Sequence, residues 1–250
     1  MTYRTRIGIL IAFIALFLIT APVVVLYTAG YRWNEKKVRI EKVGLIFLRS
    51  RPSYAEIYLD GKLRPERTPA RLRNLLPSDY DVKVAKKGYS VWEKTLPVGS
   101  ALTTFAEGIV LWKQNAPQTI PATAEATLDQ NELASLRRSD QLSFKANNET
   151  AKSDGFEIWI VNEGGDHQTI TRLSDEIRAI LPYAENGWII YETATAIHAV
   201  ERDSRGTRND VTLATGADLS GLAASSDGKY LFYESGRSSG ETTLWRLQLQ

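Results

Sequence analysis

The stretch EIYLDGKLRPERTPARL, Glu56 to Leu72, decides how this chain folds. Apolar and polar residues alternate up to Asp60. Ala55, Ile57 and Leu59 point one way and Glu56, Tyr58 and Asp60 the other, the two-residue period of a half-buried strand. Asp60-Gly61 then supplies a hairpin turn, because Gly, and to a lesser degree Asp, accepts positive φ. The charged residues that follow read as a loop ending in Thr68-Pro69, where the proline keeps Thr68 extended and sets the return strand.

The flanks carry the same pattern. KVGLIFLRSRP, Lys42 to Pro52, reads as a strand stopped by a proline. In LPSDYDVKVAKKGYSVWEKTLPV, Leu76 to Val98, Tyr80, Val82 and Val84 alternate with charged or small residues. Lys87-Gly88-Tyr89 turns the chain into a further strand from Val91, and TTFAEGIVLWKQ supplies a last one. The string PSYAEIYLDG…RTPARL…LLPSDYDVKVAKKGY resembles a PEGA domain, a small β-sandwich module of prokaryotic surface and membrane proteins. Pro52, Ala55, Ile57, Asp60, Gly61, Thr68, Pro69, Leu75, Pro77, Tyr80, Val82, Val84, Lys86, Gly88 and Tyr89 follow the family's pattern in order, over Val43 to Val98. Three glycines of that pattern are replaced, by Tyr54, Glu66 and Ser78. The resemblance implies a non-catalytic spacer or binding module, with Asp60, Gly61, Thr68, Pro69, Gly88 and Tyr89 in structural roles.

Before this unit lies IGILIAFIALFLITAPVVVLY, Ile7 to Tyr27, an uncharged run long enough to cross a hydrocarbon core as a helix. It exceeds the apolar region of a cleaved signal peptide and lacks a good small-residue cleavage site, so it reads as an anchor. Tyr27, Tyr31 and Trp33 gather at its far end, as interfacial aromatics do. Arg4 and Arg6 favour an inside N-terminus, against the pull of Arg32, Lys36, Lys37 and Arg39, so the expected arrangement is single-pass with the bulk of the chain extracytoplasmic.

Charge divides the rest. Gly30 to Asn115 holds 17 Lys+Arg against 9 Asp+Glu, a net of +8; Ala116 to Gln250 holds 12 against 20, a net of −8. A basic unit near the anchor suits an anionic bilayer or wall polymer. Arg64, Arg67, Arg71 and Arg73 are the candidate contacts for such a surface, and nucleic acid is not expected as a partner.

APQTIPATAEATLDQ, rich in Pro, Ala and Thr, reads as a linker. Beyond it the chain repeats: IRAILPYAENGWIIYE, Ile177 to Glu192, aligns with LSGLAASSDGKYLFYE, Leu219 to Glu234, at an offset of 42 residues. Gln141 to Ala146, FEIWIVN from Phe156, and Ile170 to Leu173 form an earlier, eroded copy. SSDGKYLFYESGRSSGETTLWRLQ resembles the TolB-type propeller repeat through Ser226, Asp227, Gly228, Lys229, Leu231, Phe232, Ser235, Arg237, Leu244 and Trp245, with Ser225 only loosely in the motif's serine place. Asp227, Gly228, Lys229 and Trp245 are read as structural. About three blades fit, whereas propellers close with about four to eight, and the last blade ends at Gln250 without an outermost strand. Truncation is the favoured expectation, with closure between chains as an oligomer, or an open stack of propeller-like sheets, as the alternatives.

Chemistry is thin. With no Cys there are no thiolate sites. His167 and His198 form no zinc spacing, and no nucleophile elbow or Gly-rich phosphate loop is present. Asp203 and Asp210 flank a loop too sparse in oxygen ligands for Ca²⁺. The expectation is an all-β protein: an anchor over 1–30, a PEGA-like β-sandwich over 31–115, a linker over 116–131 and partial propeller repeats over 132–250. It is expected to bind protein or cell-wall polymer, with no cofactor, metal or catalytic residue. The rival readings are a piece of a propeller hydrolase or lyase, and a cytoplasmic interaction module.

Overall fold

The run of apolar side chains near the N-terminus forms α1, Tyr3–Thr28, in the computed structural model. Its hydroxyls bond back one turn, Thr20 Oγ1 to the Leu16 carbonyl at 2.9 Å and Thr28 Oγ1 to that of Val24 at 3.0 Å, so these polar side chains also spend their donors inside the helix. Phe13, Leu16, Phe17, Leu18 and Val24 are exposed on every side, and no part of the apolar span is buried by the rest of the chain. The helix is long and apolar enough to cross a membrane. The structure describes residues 3–35, 37–121, 142–146, 149–184, 187–236 and 242–250.

A hairpin follows, β1 (Tyr31–Asn34) and β2 (Arg39–Lys42), with Trp33 opposite Ile40. Seven further strands are β3 (Gly44–Arg51), β4 (Glu56–Leu59), β5 (Lys62–Arg67), β6 (Ala70–Leu75), β7 (Ser78–Ala85), β8 (Trp92–Val98) and β9 (Thr103–Val110). They make two sheets, ordered β6-β3-β9 and β5-β4-β7-β8. Alternation holds where the sequence shows it: Ile46 and Leu48, Ile57 and Leu59, Val82 and Val84 are all buried.

One expectation fails here. Residues 62–67 are not a loop but the strand β5, paired to β4 with Leu59 opposite Lys62 and Glu56 opposite Arg67. An edge strand can carry Pro65, which has no ladder N–H to give, and its charges discourage pairing with another chain.

The distal strands are β10 (Gln118–Thr119), β11 (Ser143–Ala146), β12 (Glu149–Ser153), β13 (Glu157–Asn162), β14 (His167–Arg172), β15 (Ile177–Tyr183), β16 (Trp188–Thr193), β17 (Ala196–Glu201), β18 (Asp210–Thr215), β19 (Leu219–Ala224), β20 (Tyr230–Gly236) and β21 (Thr242–Gln248). They form three four-stranded antiparallel sheets, β11-β12-β13-β14, β15-β16-β17-β18 and β10-β21-β20-β19. Strand β15 lies near both β11 and β19. The sheet of β15 is covered on both faces: Ile189 and Ile190, adjacent in β16, are each fully buried. Ile158, Ile160 and Ile170 share one core cluster with Ile177, Ile180, Ile189 and Tyr191.

The third sheet corrects two expectations together. Composition places Gln118 and Thr119 in a linker and leaves the last repeat without its outer strand. Instead these residues are that strand, with Gln118 opposite Arg246 and Thr119 opposite Trp245. The Ile120 N–H donates to the Leu244 carbonyl at 2.8 Å, and Ile120 packs against Ala223 and Phe232. The rest of the expected linker from residue 122, and Gln141 of the eroded repeat, lie outside the described residues.

Two compact units divide the chain. One holds Met1–Leu48, Ala70–Tyr80 and Leu96–Ala106; the other holds Arg49–Pro69, Asp81–Thr95 and Glu107–Gln250.

Candidate functional site

The turn at Asp60-Gly61 has both residues at positive φ, 48° and 73°, as a two-residue hairpin with the twist of its strands requires. The Asp60 N–H donates to the Asp81 carbonyl at 2.8 Å, and the Asp81 N–H to Asp60 Oδ1 at 3.0 Å, tying the turn to β7. Thr68 is buried and hydrogen-bonded on every polar group. Its Oγ1 accepts from the Ala55 N–H at 3.0 Å and is hydrogen-bonded to Ser50 Oγ at 2.6 Å; its carbonyl accepts from the Tyr54 N–H at 2.7 Å. The Arg51–Pro52 and Thr68–Pro69 bonds are cis. Gly88, at φ 82°, allows the Tyr89 N–H to reach the Lys86 carbonyl, and Lys86 Nζ donates to the Ser53 carbonyl at 2.6 Å.

Strand β8 holds what sequence reasoning missed. Its alternation buries Trp92, Lys94, Leu96 and Val98, so a lysine occupies a core position. Lys94 Nζ lies 2.9 Å from Glu201 Oε2 and donates to the Asp203 carbonyl at 2.7 Å. The other donors to Glu201 are Trp92 Nε1 at 3.1 Å and Asn209 Nδ2 at 2.7 Å, while Asp203 is gripped by Arg205. Trp112 continues this contact, with Trp188 edge-on at 5.4 Å between ring centres, and Trp188 Nε1 donates to the Gly108 carbonyl at 2.8 Å. Beside the network a cleft of about 510 Å³ is lined by Asp81, Lys83, Glu93, Thr95, Thr207 and Asn209. Its charged groups are already paired: Lys83 with Glu93, and Asp81 with the Thr95 hydroxyl.

The four candidate arginines do not form one cluster on one element. Arg64 and Arg67 lie on β5, facing Glu66 at 3.7 Å and Glu56 at 2.8 Å. Arg71 and Arg73 lie on the exposed side of β6, and the Arg71 guanidinium sits 5.8 Å from the centre of the Phe47 ring. Phe105 meets Phe47 edge-on at 6.0 Å and is exposed. The β6-β3-β9 sheet thus presents a mixed aromatic and cationic face, which suits an anionic, partly apolar surface. Residues 43–110 match the PEGA domain family. No curated protein matches the chain. The PEGA segment therefore includes Thr68, Lys94 and the aromatic-cationic face, whereas its ion-pair partner Glu201 lies outside it.

Of the three glycines missing from the PEGA pattern, one position needs positive φ. Tyr54 has φ 61°, with its side chain exposed; Glu66 and Ser78 do not. In the last sheet Ser225 ties the turn before β20. Its Oγ donates to Asp227 Oδ1 at 2.7 Å and accepts from the Tyr230 N–H at 2.9 Å. The bonds from Lys229 and Ser225 hold the Asp227 carboxyl well below the usual carboxylate range. Gly228, at φ 69°, presents its carbonyl to the Tyr183 hydroxyl at 2.7 Å, and Trp245 Nε1 donates to Ser235 Oγ.

His198 stacks on Tyr191 at 5.0 Å with Nδ1 3.4 Å from Asp210, and Tyr191 donates to the same carboxylate, so this trio is tied together within one sheet. His167 stands edge-on to Trp159. Among the described residues no group of three His, Cys, Asp or Glu is placed to hold a metal ion. One carboxyl stands apart: Glu192 in β16 is buried, and its Oε2 has no hydrogen-bond partner among the described residues. Burial pushes its pKa up to about 7, with Glu234 adding to the shift and Arg178 opposing it.

Proposed function

We propose that this is a membrane-anchored, non-catalytic binding or scaffolding protein of the prokaryotic cell envelope. The observation that carries the reading is the junction at Thr28 to Tyr31. A helix fit to cross a bilayer, buried by nothing else in the chain, is joined through Ala29 and Gly30 to the β-structure that leads into the PEGA segment. The basic stretch of the chain, residues 30–115, follows the helix directly, and Arg71, Arg73, Phe47 and Phe105 offer an anionic polymer or protein a cationic face with apolar footing.

The three distal sheets are read as propeller-type, TolB-like repeats. The 42-residue offset, the Ser225-Asp227-Gly228-Lys229 turn and the outer strand supplied from residues 118–119 support that reading. They serve as a second contact surface, with the bulk of the chain extracytoplasmic.

Protease treatment of intact cells tests the arrangement: the distal sheets should be cleaved without lysis. Cleavage only after lysis would sink the exported orientation. For binding, full-length protein in vesicles should retain a soluble anionic wall polymer, and Arg71→Glu with Arg73→Glu should reduce retention several-fold. Equal retention by the variant would remove this face from the reading.

A further inference from the structure

The β1–β2 hairpin is built inside out. Tyr31, Trp33, Ile40 and Lys42 share one face, because Trp33 is opposite Ile40 and Tyr31 opposite Lys42. That face is open: Trp33 is 57% and Ile40 53% exposed. The other face carries Arg32, Asn34, Arg39 and Glu41, and there Asn34 and Glu41 are buried. Asn34 Nδ2 donates to Glu41 Oε2 and Arg39 Nε to Glu41 Oε1, each at 2.6 Å, while Lys37 Nζ reaches the Pro77 carbonyl at 3.2 Å. A hairpin bathed in water keeps its apolar side inward and its polar side outward. This one does the reverse. Val38, just before β2, extends the exposure: it is 72% exposed and held at φ 49°, a conformation costly for a β-branched residue.

The hairpin is also fastened to the end of α1. Only Ala29 and Gly30 separate them, and the Val43 N–H returns to the Gly30 carbonyl at 2.9 Å. Arg32 Nη1 donates to the last-turn carbonyl of Tyr27 at 2.7 Å and to that of Tyr31 at 2.8 Å, with the guanidinium 3.6 Å from the centre of the Tyr27 ring. The first of these bonds sets a cation on a last-turn carbonyl, at the negative end of the helix dipole. The hairpin is therefore held where a membrane-crossing α1 leaves the hydrocarbon core, the layer that favours Trp, Tyr and the long stems of Lys.

We propose that the Tyr31–Trp33–Ile40–Lys42 face lies in the headgroup region of the bilayer as a second membrane contact. It fixes the height and tilt at which the first β-unit leaves the membrane. The proposal rests on α1 being a membrane anchor.

Because the chain has no Cys, single labels can be placed cleanly. Full-length Trp33→Cys, Ile40→Cys and Arg39→Cys proteins, each bearing an environment-sensitive fluorophore, are reconstituted in vesicles of zwitterionic and anionic phospholipid. Nitroxide lipids labelled near the headgroup should quench positions 33 and 40 several-fold more than position 39, and aqueous iodide should show the opposite order. Without any label, Trp33→Phe should remove most of the lipid quenching of intrinsic fluorescence. Carbonate extraction of the same vesicles separates the two readings. Protein retained in the bilayer with equal quenching at 39 and 40 overturns the hairpin contact and leaves the anchor standing; protein released by carbonate overturns both.

Discussion

Tyr54 occupies the left-handed region where the PEGA pattern has glycine, and an L side chain there costs about 1–2 kcal/mol. Its ring is exposed and makes no compensating burial. Tyr54→Gly should therefore raise stability, by about 0.5–1 kcal/mol once the greater freedom of glycine in the unfolded chain is set against the relief. A lower unfolding midpoint would mean that the tyrosine is held by more than its backbone. Glu192 makes a pH-dependent contribution. Its folded pKa, about 7, is raised above the ordinary 4.5, so its ionised form is disfavoured in the fold. The penalty is absent below the unfolded value, grows as pH rises between the two, and is complete above the folded one. At 1.36 kcal/mol per unit it amounts to about 3 kcal/mol. Glu192→Gln should flatten the stability profile between about pH 5 and 8 and raise stability most at the alkaline end. A profile unchanged by the substitution would show that the carboxylate finds a partner in solution. Neither feature could be read locally. Tyr54 stood out as a departure from a pattern, but its φ depends on the closure of Thr68 onto Ala55. Glu192 looks like a strand's polar position until the fold buries it.

Strand β8 shows how an element's meaning can lie elsewhere in the chain. Alternation marks Trp92, Leu96 and Val98 as inward and puts Lys94 among them. What the lysine meets there is Glu201, on β17, far along the sequence. A buried pair is costly to break on one side, since the remaining charge is stranded. Lys94→Met should destabilise by about 3–5 kcal/mol, and Lys94→Met with Glu201→Met should recover much of that loss. Additive losses in this cycle, measured by denaturant unfolding of the detergent-solubilised chain, would deny the coupling. Strand β10 is a similar case at lower energy. Ile120→Pro removes the N–H that bonds Leu244 and should speed amide exchange along β21, leaving β16 protected. The composition of this segment suggested a linker because a two-residue strand is too short to show any period. Only a vacant edge on β21 makes it a strand. The charged stretch from Lys62 to Arg67 misled in the same way: edge strands tolerate the Pro and the charges that mark loops elsewhere.

For the molecule as a whole, α1 is long and apolar enough to cross a membrane. Leu16→Arg puts a charge near the centre of α1, at a cost of about 2.5–3.5 kcal/mol for insertion. It should increase the carbonate-extractable fraction, while the β-structure, which buries no part of the helix's apolar span, should keep its circular dichroism. An unchanged membrane fraction would mean that the helix does not cross. The sequence by itself determined the apolar helix, the alternating strands, the Asp-Gly turns and the 42-residue repetition, because each is written in residues a few positions apart and governed by local sterics or period. Tertiary structure alone decided which strands share a sheet, that Gln118 and Thr119 complete the last one, and that Lys94 has a partner. It also turned the apolar face of the β1–β2 hairpin outward. Those outcomes depend on groups separated by tens of residues meeting where water is excluded, and burial is a property of the folded surface that no local pattern encodes.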